Sequence, residues 1–264
     1  MKSIPLAIVL LLMFSLIQCR SDKPKNGPES GNSIPITRLP GDIQGAGKAG
    51  TGVSFATSDN VVIKGTLYEA GKSGAPAVLC LHQWRGDRSG FGSMPEILQS
   101  EGFTVLAIDM RGNGESKKKS DGSTVAPDRD AVRDVAAAMD FLKKQKSVDP
   151  SRIGILGASY GGSNAVLYAA NNGGVKALCL MSPGLNYFNV LPIEPAMKKL
   201  QALPILAVAS SEDVRSVEAL DTFKGMKLSG LSIQKYDNLG HGTDMLGANT
   251  GLEKLISGFF SKNL

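Results

Sequence analysis

Arg152-Ile153-Gly154-Ile155-Leu156-Gly157-Ala158-Ser159-Tyr160-Gly161-Gly162 is an apolar run that ends in a serine set between glycines. Behind it, Tyr160–Ala170 has helix-like composition and meets a stop at Asn171-Asn172-Gly173-Gly174. A strand that turns sharply into a helix at G-x-S-x-G holds its serine in a strained conformation with the hydroxyl exposed. Gly157 and Gly161 then have a steric reason to be glycine, because side chains two positions from the serine would collide with the neighbouring chain. The competing reading is an ordinary glycine-rich turn. The preceding strand and the residues further along the chain favour a nucleophile at Ser159.

Outward from this point, short β-rich runs alternate with helix-length patterns from residue 52 onward. Val53–Thr57 and Val61–Glu69 flank the turn signal Ser58-Asp59-Asn60 and predict an antiparallel hairpin. Ala77–His82, Thr104–Asp109, Arg152–Ala158, Val175–Met181, Ile205–Ala209 and Leu231–Tyr236 read as further strands. Phe91–Ser100 reads as a helix, with Ser93 and Glu96 spaced as a capping box. Asp128–Lys146 is the clearest helix, with Val132, Val135, Met139 and Leu142 at helical spacing and lysines gathered at its end. Another begins at Val214, and Leu252, Leu255, Ile256, Phe259 and Phe260 form the stripe of a last one.

This alternation predicts an α/β fold: a mainly parallel central sheet, an N-terminal antiparallel hairpin and helices on both faces. In such sheets chemistry collects past the carboxyl ends of the strands. Leu81-His82-Gln83-Trp84-Arg85-Gly86-Asp87, Asp109-Met110-Arg111-Gly112-Asn113-Gly114-Glu115-Ser116, the elbow, Ser210-Ser211-Glu212-Asp213 and Gly240-His241-Gly242 all fall there. From about residue 52 to the C-terminus, these five pieces in order resemble an α/β-hydrolase of the dienelactone-hydrolase and prolyl-oligopeptidase-like branch.

Ser159, Asp213 and His241 stand in the chain order of that family's triad. A serine hydroxyl is a poor nucleophile until a base removes its proton, and His241 is the natural base. The resemblance aligns Asp213 with the acid that orients the imidazole. Glu212 is the alternative acid, and a helix N-cap is the alternative role for Asp213. The resemblance also implies an oxyanion hole from the backbone N–H groups of Tyr160 and Trp84, with Gln83 the alternative to Trp84. Gln83 stands where the family often has glycine. His82, Asp109 and Arg111 read as scaffold, and Asn113 replaces a histidine common in the family. Some twenty residues between Met181 and Pro204 are too few for a large cap domain, so the site should be open. Tyr187, Phe188 and Met197 are candidates to line it. The expected activity is hydrolysis of carboxylic esters or related acyl bonds through an acyl-enzyme on Ser159. A non-catalytic binding protein, a peptidase and a haloperoxidase-type activity are the rivals.

At 264 residues, 42% apolar and 20% charged, the chain can bury a full core, and its net charge of +5 favours neither nucleic acid nor a particular substrate charge. Lys117-Lys118-Lys119 reads as a solvated loop. Cys80 and Cys179 sit inside apolar runs and read as buried unpaired thiols. No cofactor and no metal site are expected. The expected partner is a small-molecule substrate, and the expected state is a monomer.

Residues 1–18 read as a signal peptide, with Lys2 ahead of the apolar stretch Leu6–Ile17. Leu16-Ile17-Gln18-Cys19 resembles a bacterial lipobox, which would make Cys19 a lipidation site. A plain secretory signal or an uncleaved anchor is the rival reading. Residues 19–50, rich in Gly, Ser, Pro and Lys, read as a flexible tether reaching about 30 Å. The domain itself spans 51–264. The expected location is a bacterial cell envelope, membrane-anchored on its periplasmic or surface side, with a soluble secreted protein as the alternative.

Overall fold

The structure, a computed structural model, describes residues 49–264. The signal peptide, Cys19 and all but the end of the tether lie outside the described residues. In chain order the elements are β1 Thr51–Ala56, β2 Val61–Tyr68, β3 Ala75–Leu81, α1 Met94–Ser100, β4 Thr104–Asp109, β5 Lys118–Lys119 and α2 Val132–Lys143. There follow β6 Val148–Ala158, α3 Tyr160–Asn172, β7 Ala177–Met181, β8 Asn186–Tyr187, β9 Leu191–Pro192 and α4 Glu194–Lys199. The chain closes with β10 Ile205–Ser210, α5 Val214–Gly225, β11 Leu231–Tyr236 and α6 Leu252–Asn263.

The main sheet runs β1-β2-β4-β3-β6-β7-β10-β11, with β5 on β2. β1–β2 and β2–β4 are antiparallel, and every later pair is parallel. The predicted α/β-hydrolase architecture is therefore the observed one. Alternation along the strands sorts the core into two layers. Ala77, Leu79 and Leu81 of β3 face a core built with α2, α3, α4 and α5, through residues such as Val135, Met139, Val166, Met197 and Phe223. Val78 and Cys80 face the opposite core, closed by Met94 and Leu98 of α1 and Leu252, Ile256 and Phe260 of α6. Cys80 and Cys179 each register with Leu156 on the strand between them. Two strand spacings, about 10 Å, put them beyond the reach of a disulfide. Both are free and buried, and burial pushes both thiols well above their usual range.

Three local expectations are corrected. Ser93 makes no capping bond, because its backbone is already helical (φ −82°, ψ −3°) and side-chain capping needs an extended residue. The helix predicted over Asp128–Lys146 covers only Val132–Lys143. Ahead of it the Asp128 carbonyl accepts from the Tyr160 hydroxyl at 2.6 Å, and the Ala131 N–H donates to Asn164 Oδ1 at 2.9 Å, holding that segment against α3. Lys118 and Lys119 are solvated as expected, but they pair with β2 rather than loop freely.

The scaffold reading of Arg111 has a concrete form. Its Nε and backbone N–H donate to Asp134 at 2.8 and 2.7 Å, and its other two nitrogens donate to Asp59 at 2.8 and 3.0 Å. This ties the β1–β2 turn, the loop after β4 and helix α2 together. Asp134 is fully buried. Arg111→Met strands its carboxylate without a cation, so a loss of about 3–5 kcal/mol is expected in urea denaturation. Adding Asp134→Leu should recover most of it. A loss below about 1 kcal/mol in the single variant would mean the network is not a structural tie.

Candidate active site

Because β3, β6, β7, β10 and β11 are parallel, the residues that follow them emerge along one edge of the sheet. Ser159 does so directly after β6. It has φ +51° and ψ −114°, a conformation that costs about 1–3 kcal/mol in a non-glycine residue. Its N–H is tied to the Met181 carbonyl at 2.7 Å, and its side chain caps no helix N–H, so the hydroxyl is not taken up by α3. The glycines are required as argued. A methyl group at Gly157 would lie 2.6 Å from the Gly162 Cα, and one at Gly161 would lie 2.2 Å from the Leu81 carbonyl oxygen.

His241 Nε2 lies 2.7 Å from Ser159 Oγ, and its Nδ1 lies 2.6 Å from Asp213 Oδ2. The carboxylate fixes the tautomer: Nδ1 carries the proton and Nε2 accepts from the serine. Three residues separated by up to 82 positions thus form one hydrogen-bonded line. Asp213 does not cap α5 with its side chain. Burial raises its pKa, but the facing Ser216 hydroxyl and His241 outweigh that and hold the carboxyl below its ordinary value. Ser159 is buried, while the His241 side chain is 42% exposed, so the site opens to solvent at the imidazole.

An exposed imidazole is held in place only by a stiff loop, and the ends of the neighbouring strands supply the ties. The Glu212 carboxylate, the alternative acid, instead accepts from the N–H groups of Asn238 at 2.9 Å and Gly240 at 2.7 Å and from Ser210 Oγ at 2.6 Å. Ser182 Oγ accepts from the Gly242 N–H at 2.8 Å. Gln83 Oε1 accepts from the Thr243 N–H at 2.7 Å, and Gly242 packs beneath it so closely that a methyl group there would be 2.0 Å away. A glutamine in place of glycine thus ties the loop after β3 to the histidine loop. The only sequence signal for these ties was that each residue follows a strand end.

His82 behaves as predicted: Nδ1–H donates to the Gln83 carbonyl at 2.7 Å, and Nε2 accepts from the Met110 N–H at 2.9 Å. Burial lowers its pKa and keeps it neutral. Asn113 donates to the carbonyls of Met110 and Arg111 at 3.2 and 3.0 Å, which holds that turn. Asp109 takes the backbone N–H groups of Arg88 and Glu115, each at 2.8 Å.

Tyr160 is the first residue of α3, so its N–H has no acceptor within the helix. The Trp84 ring meets the Tyr160 ring edge-on at 5.1 Å and the Phe188 ring at 4.7 Å. Trp84 and Phe188, with Leu185 and Tyr187, line a cleft of about 680 Å³ that reaches Ser159, and Arg215 and Glu218 line it as well. The short β8–β9 hairpin supplies Tyr187 and Phe188 in place of any cap domain. Met197 is instead buried in the core. Among the described residues no cluster of His, Cys, Asp or Glu could hold a metal ion, and no helix is long and apolar enough to cross a membrane.

Residues 76–207, half of the chain, match the family model described as alpha/beta hydrolase fold. The matched span takes in Trp84, Ser159 and Tyr160 and stops short of Asp213 and His241. A thiohydrolase of Aspergillus aculeatus is 30% identical over 139 residues, which is 50% of this chain and 41% of that protein. The chain thus spans less than half the length of that relative. Among solved structures, an esterase of Pyrococcus furiosus superposes with a TM-score of 0.66 at 17% identity, covering 81% of this chain and 90% of its own. A dienelactone hydrolase of Anabaena variabilis gives 0.63 at 21% identity, covering 81% and 98%.

The Glu212 staple generates a pH prediction. Its hydrogen bonds hold the carboxyl down at about 2, from an ordinary 4.5. A depressed carboxylate contributes stability that is fully present above its unfolded pKa and is lost as pH falls through its folded one. The difference in Tm between the wild type and Glu212→Gln should therefore be constant above about pH 5 and shrink as pH falls toward 2. A difference that grows on acidification would rule out the staple.

Proposed function

The chain belongs to the alpha/beta hydrolase fold family, and from that premise we propose that it is a serine hydrolase that cleaves carboxylic esters or related acyl bonds through an acyl-enzyme on Ser159. The hydrogen-bonded line from Ser159 through His241 to Asp213 is the observation that carries this reading. His241 Nε2 takes the hydroxyl proton as Oγ attacks the acyl carbon, and Asp213 stabilises the imidazolium that forms. The N–H groups of Tyr160 and Trp84 receive the oxyanion, each worth roughly 3–4 kcal/mol of transition-state stabilisation. His241 then returns the proton to the leaving group and activates the water that releases the acid.

A small acyl compound suits the cleft. Its aromatic wall accepts an apolar group, and its mouth is open at His241. Likeness to a thiohydrolase extends the substrate class to thioesters, which follow the same acyl-transfer path. We also propose that the protein is exported and acylated at Cys19, on the strength of the lipobox-like Leu16-Ile17-Gln18-Cys19. Palmitate incorporation that disappears in Cys19→Ser is the expected result in a bacterial host, and none in either protein would leave a simple secreted enzyme.

The activity is tested with a fluorophosphonate probe and a panel of short-chain nitrophenyl esters. The wild type should be labelled and should hydrolyse at least one ester. Ser159→Ala should keep its fold, lose labelling and fall by about 10⁴-fold or more in kcat. Equal turnover by the two proteins would remove Ser159 from the mechanism. A folded wild type that is never labelled would favour a binding protein on this fold.

A further inference from the structure

The hairpin beside the nucleophile carries one polar group that the triad leaves unused. Tyr187 closes β8, and its hydroxyl lies 2.5 Å from Ser159 Oγ and 3.4 Å from the Ser182 carbonyl oxygen. The protons along this line can be assigned. Asp213 keeps the His241 proton on Nδ1, so Nε2 is bare and Ser159 donates to it. The serine oxygen then presents only lone pairs, and Tyr187 must be the donor in the short contact. The phenol is fixed in place. Its backbone pairs with Leu191, and Gly184 makes room for its ring, since a methyl group there would lie 2.8 Å from it. Burial pushes the Tyr187 pKa above its ordinary value, so the donor proton is retained.

We propose, resting on Ser159 as the nucleophile, that Tyr187 is a further catalytic residue whose O–H bonds the serine oxygen and speeds breakdown of the acyl-enzyme. A hydroxyl oxygen has two lone pairs. One accepts from Tyr187, and the other forms the bond to the acyl carbon while the serine proton moves to His241 Nε2. In the acyl-enzyme Oγ is an ester oxygen that still accepts from Tyr187. Water then adds to the acyl carbon and passes a proton to Nε2. The C–Oγ bond breaks, its electron pair goes to Oγ, and His241 returns the proton there. Tyr187 keeps its own proton throughout. Negative charge grows on Oγ during this collapse, so a donor aimed at it favours the transition state over the acyl-enzyme. During the initial attack the same bond draws electron density from the nucleophile and gives no acceleration. The effect is therefore confined to one half of the cycle.

Tyr187→Phe removes the hydroxyl and keeps the ring. With a short-chain nitrophenyl ester, its deacylation rate constant should fall about tenfold, and a burst approaching one equivalent of nitrophenol per site should appear. Fluorophosphonate inactivation reads attack alone and should stay within about threefold of the wild type. A purely structural role would lower both rates together. Equal losses, or no change in deacylation, would overturn the proposal while leaving the nucleophile in place. A wild type that is never labelled would overturn the nucleophile, and this role with it. If Tyr187→Phe does not fold, fluorotyrosines at the same position give the second reading: deacylation should rise with phenol acidity, and a flat response overturns the role.

Discussion

The first turn of α3 lies against the end of β3 so closely that the Gly161 Cα sits beneath the Leu81 carbonyl with no room for a methyl group. The opposite side of the same turn is equally crowded, with Gly157 against the backbone of Gly162. Between them the chain must pass from strand to helix within one residue, and Ser159 absorbs the cost in a left-handed φ. Nothing about the serine itself calls for that conformation. It is imposed by α3 packing across the sheet, and it turns the hydroxyl out of the helix toward the edge where the other parallel strands end. The strain is offset by the large two-layer core on either side of β6, which is buried along most of its length.

The imidazole faces the opposite problem. Ser159 is held by a buried strand and helix, whereas His241 stands in a loop and is nearly half open to water. A loop histidine left to itself would sample many positions, and misplacement by about 1 Å is enough to cost two orders of magnitude in rate. Here the loop's backbone donors are taken up one after another by Glu212, Ser210, Ser182 and Gln83, which come from the ends of β10, β7 and β3. Exposure of the imidazole and precision of its placement are thus compatible, because the loop borrows rigidity from the same edge of the sheet that carries Ser159 and Asp213.

How much of this could be read from the sequence follows from the range of the forces involved. Buried parallel strands announce themselves as short apolar runs, and the periodic stripe of α2 is a local signal, so the sheet, its helices and the emergence of Ser159, Asp213 and His241 at one edge were legible. Helix ends were less so. The capping box at Ser93 and the first turn of the helix predicted from Asp128 obeyed local rules that tertiary contacts overrode, above all the grip of Tyr160 and Asn164 on the segment before α2. Glu212 stands as an alternative acid in the sequence because a carboxylate beside Asp213 has the same local pattern whether it faces the imidazole or the next loop. Only the spacing of β10 and β11 decides which. Gln83 looked like a departure from a family pattern, and its purpose appears only when Thr243, 160 residues away, is placed beside it.

The least legible part is the hairpin that lines the cleft beside Ser159. β8 and β9 are two residues each, too short for any periodicity, and the turn between them has left-handed φ at Phe188 and Asn189, neither of which is glycine. The hairpin is anchored by its own pairing and by the buried Leu191, and its tip is held by Phe188 against Trp84, Arg129 over the Phe188 ring at 5.4 Å, and Tyr187 against Ser159. Ser159 and the loop of His241 are therefore tied to the ends of the main sheet, while the aromatic wall beside them is set by a hairpin of a few residues. Changes at Phe188 alter the wall without touching Gly161, Ser159 or the histidine loop, whereas a change at Tyr187 reaches the Ser159 hydroxyl directly, so the shape of the wall is separable from the serine at one residue of the hairpin and not at the next.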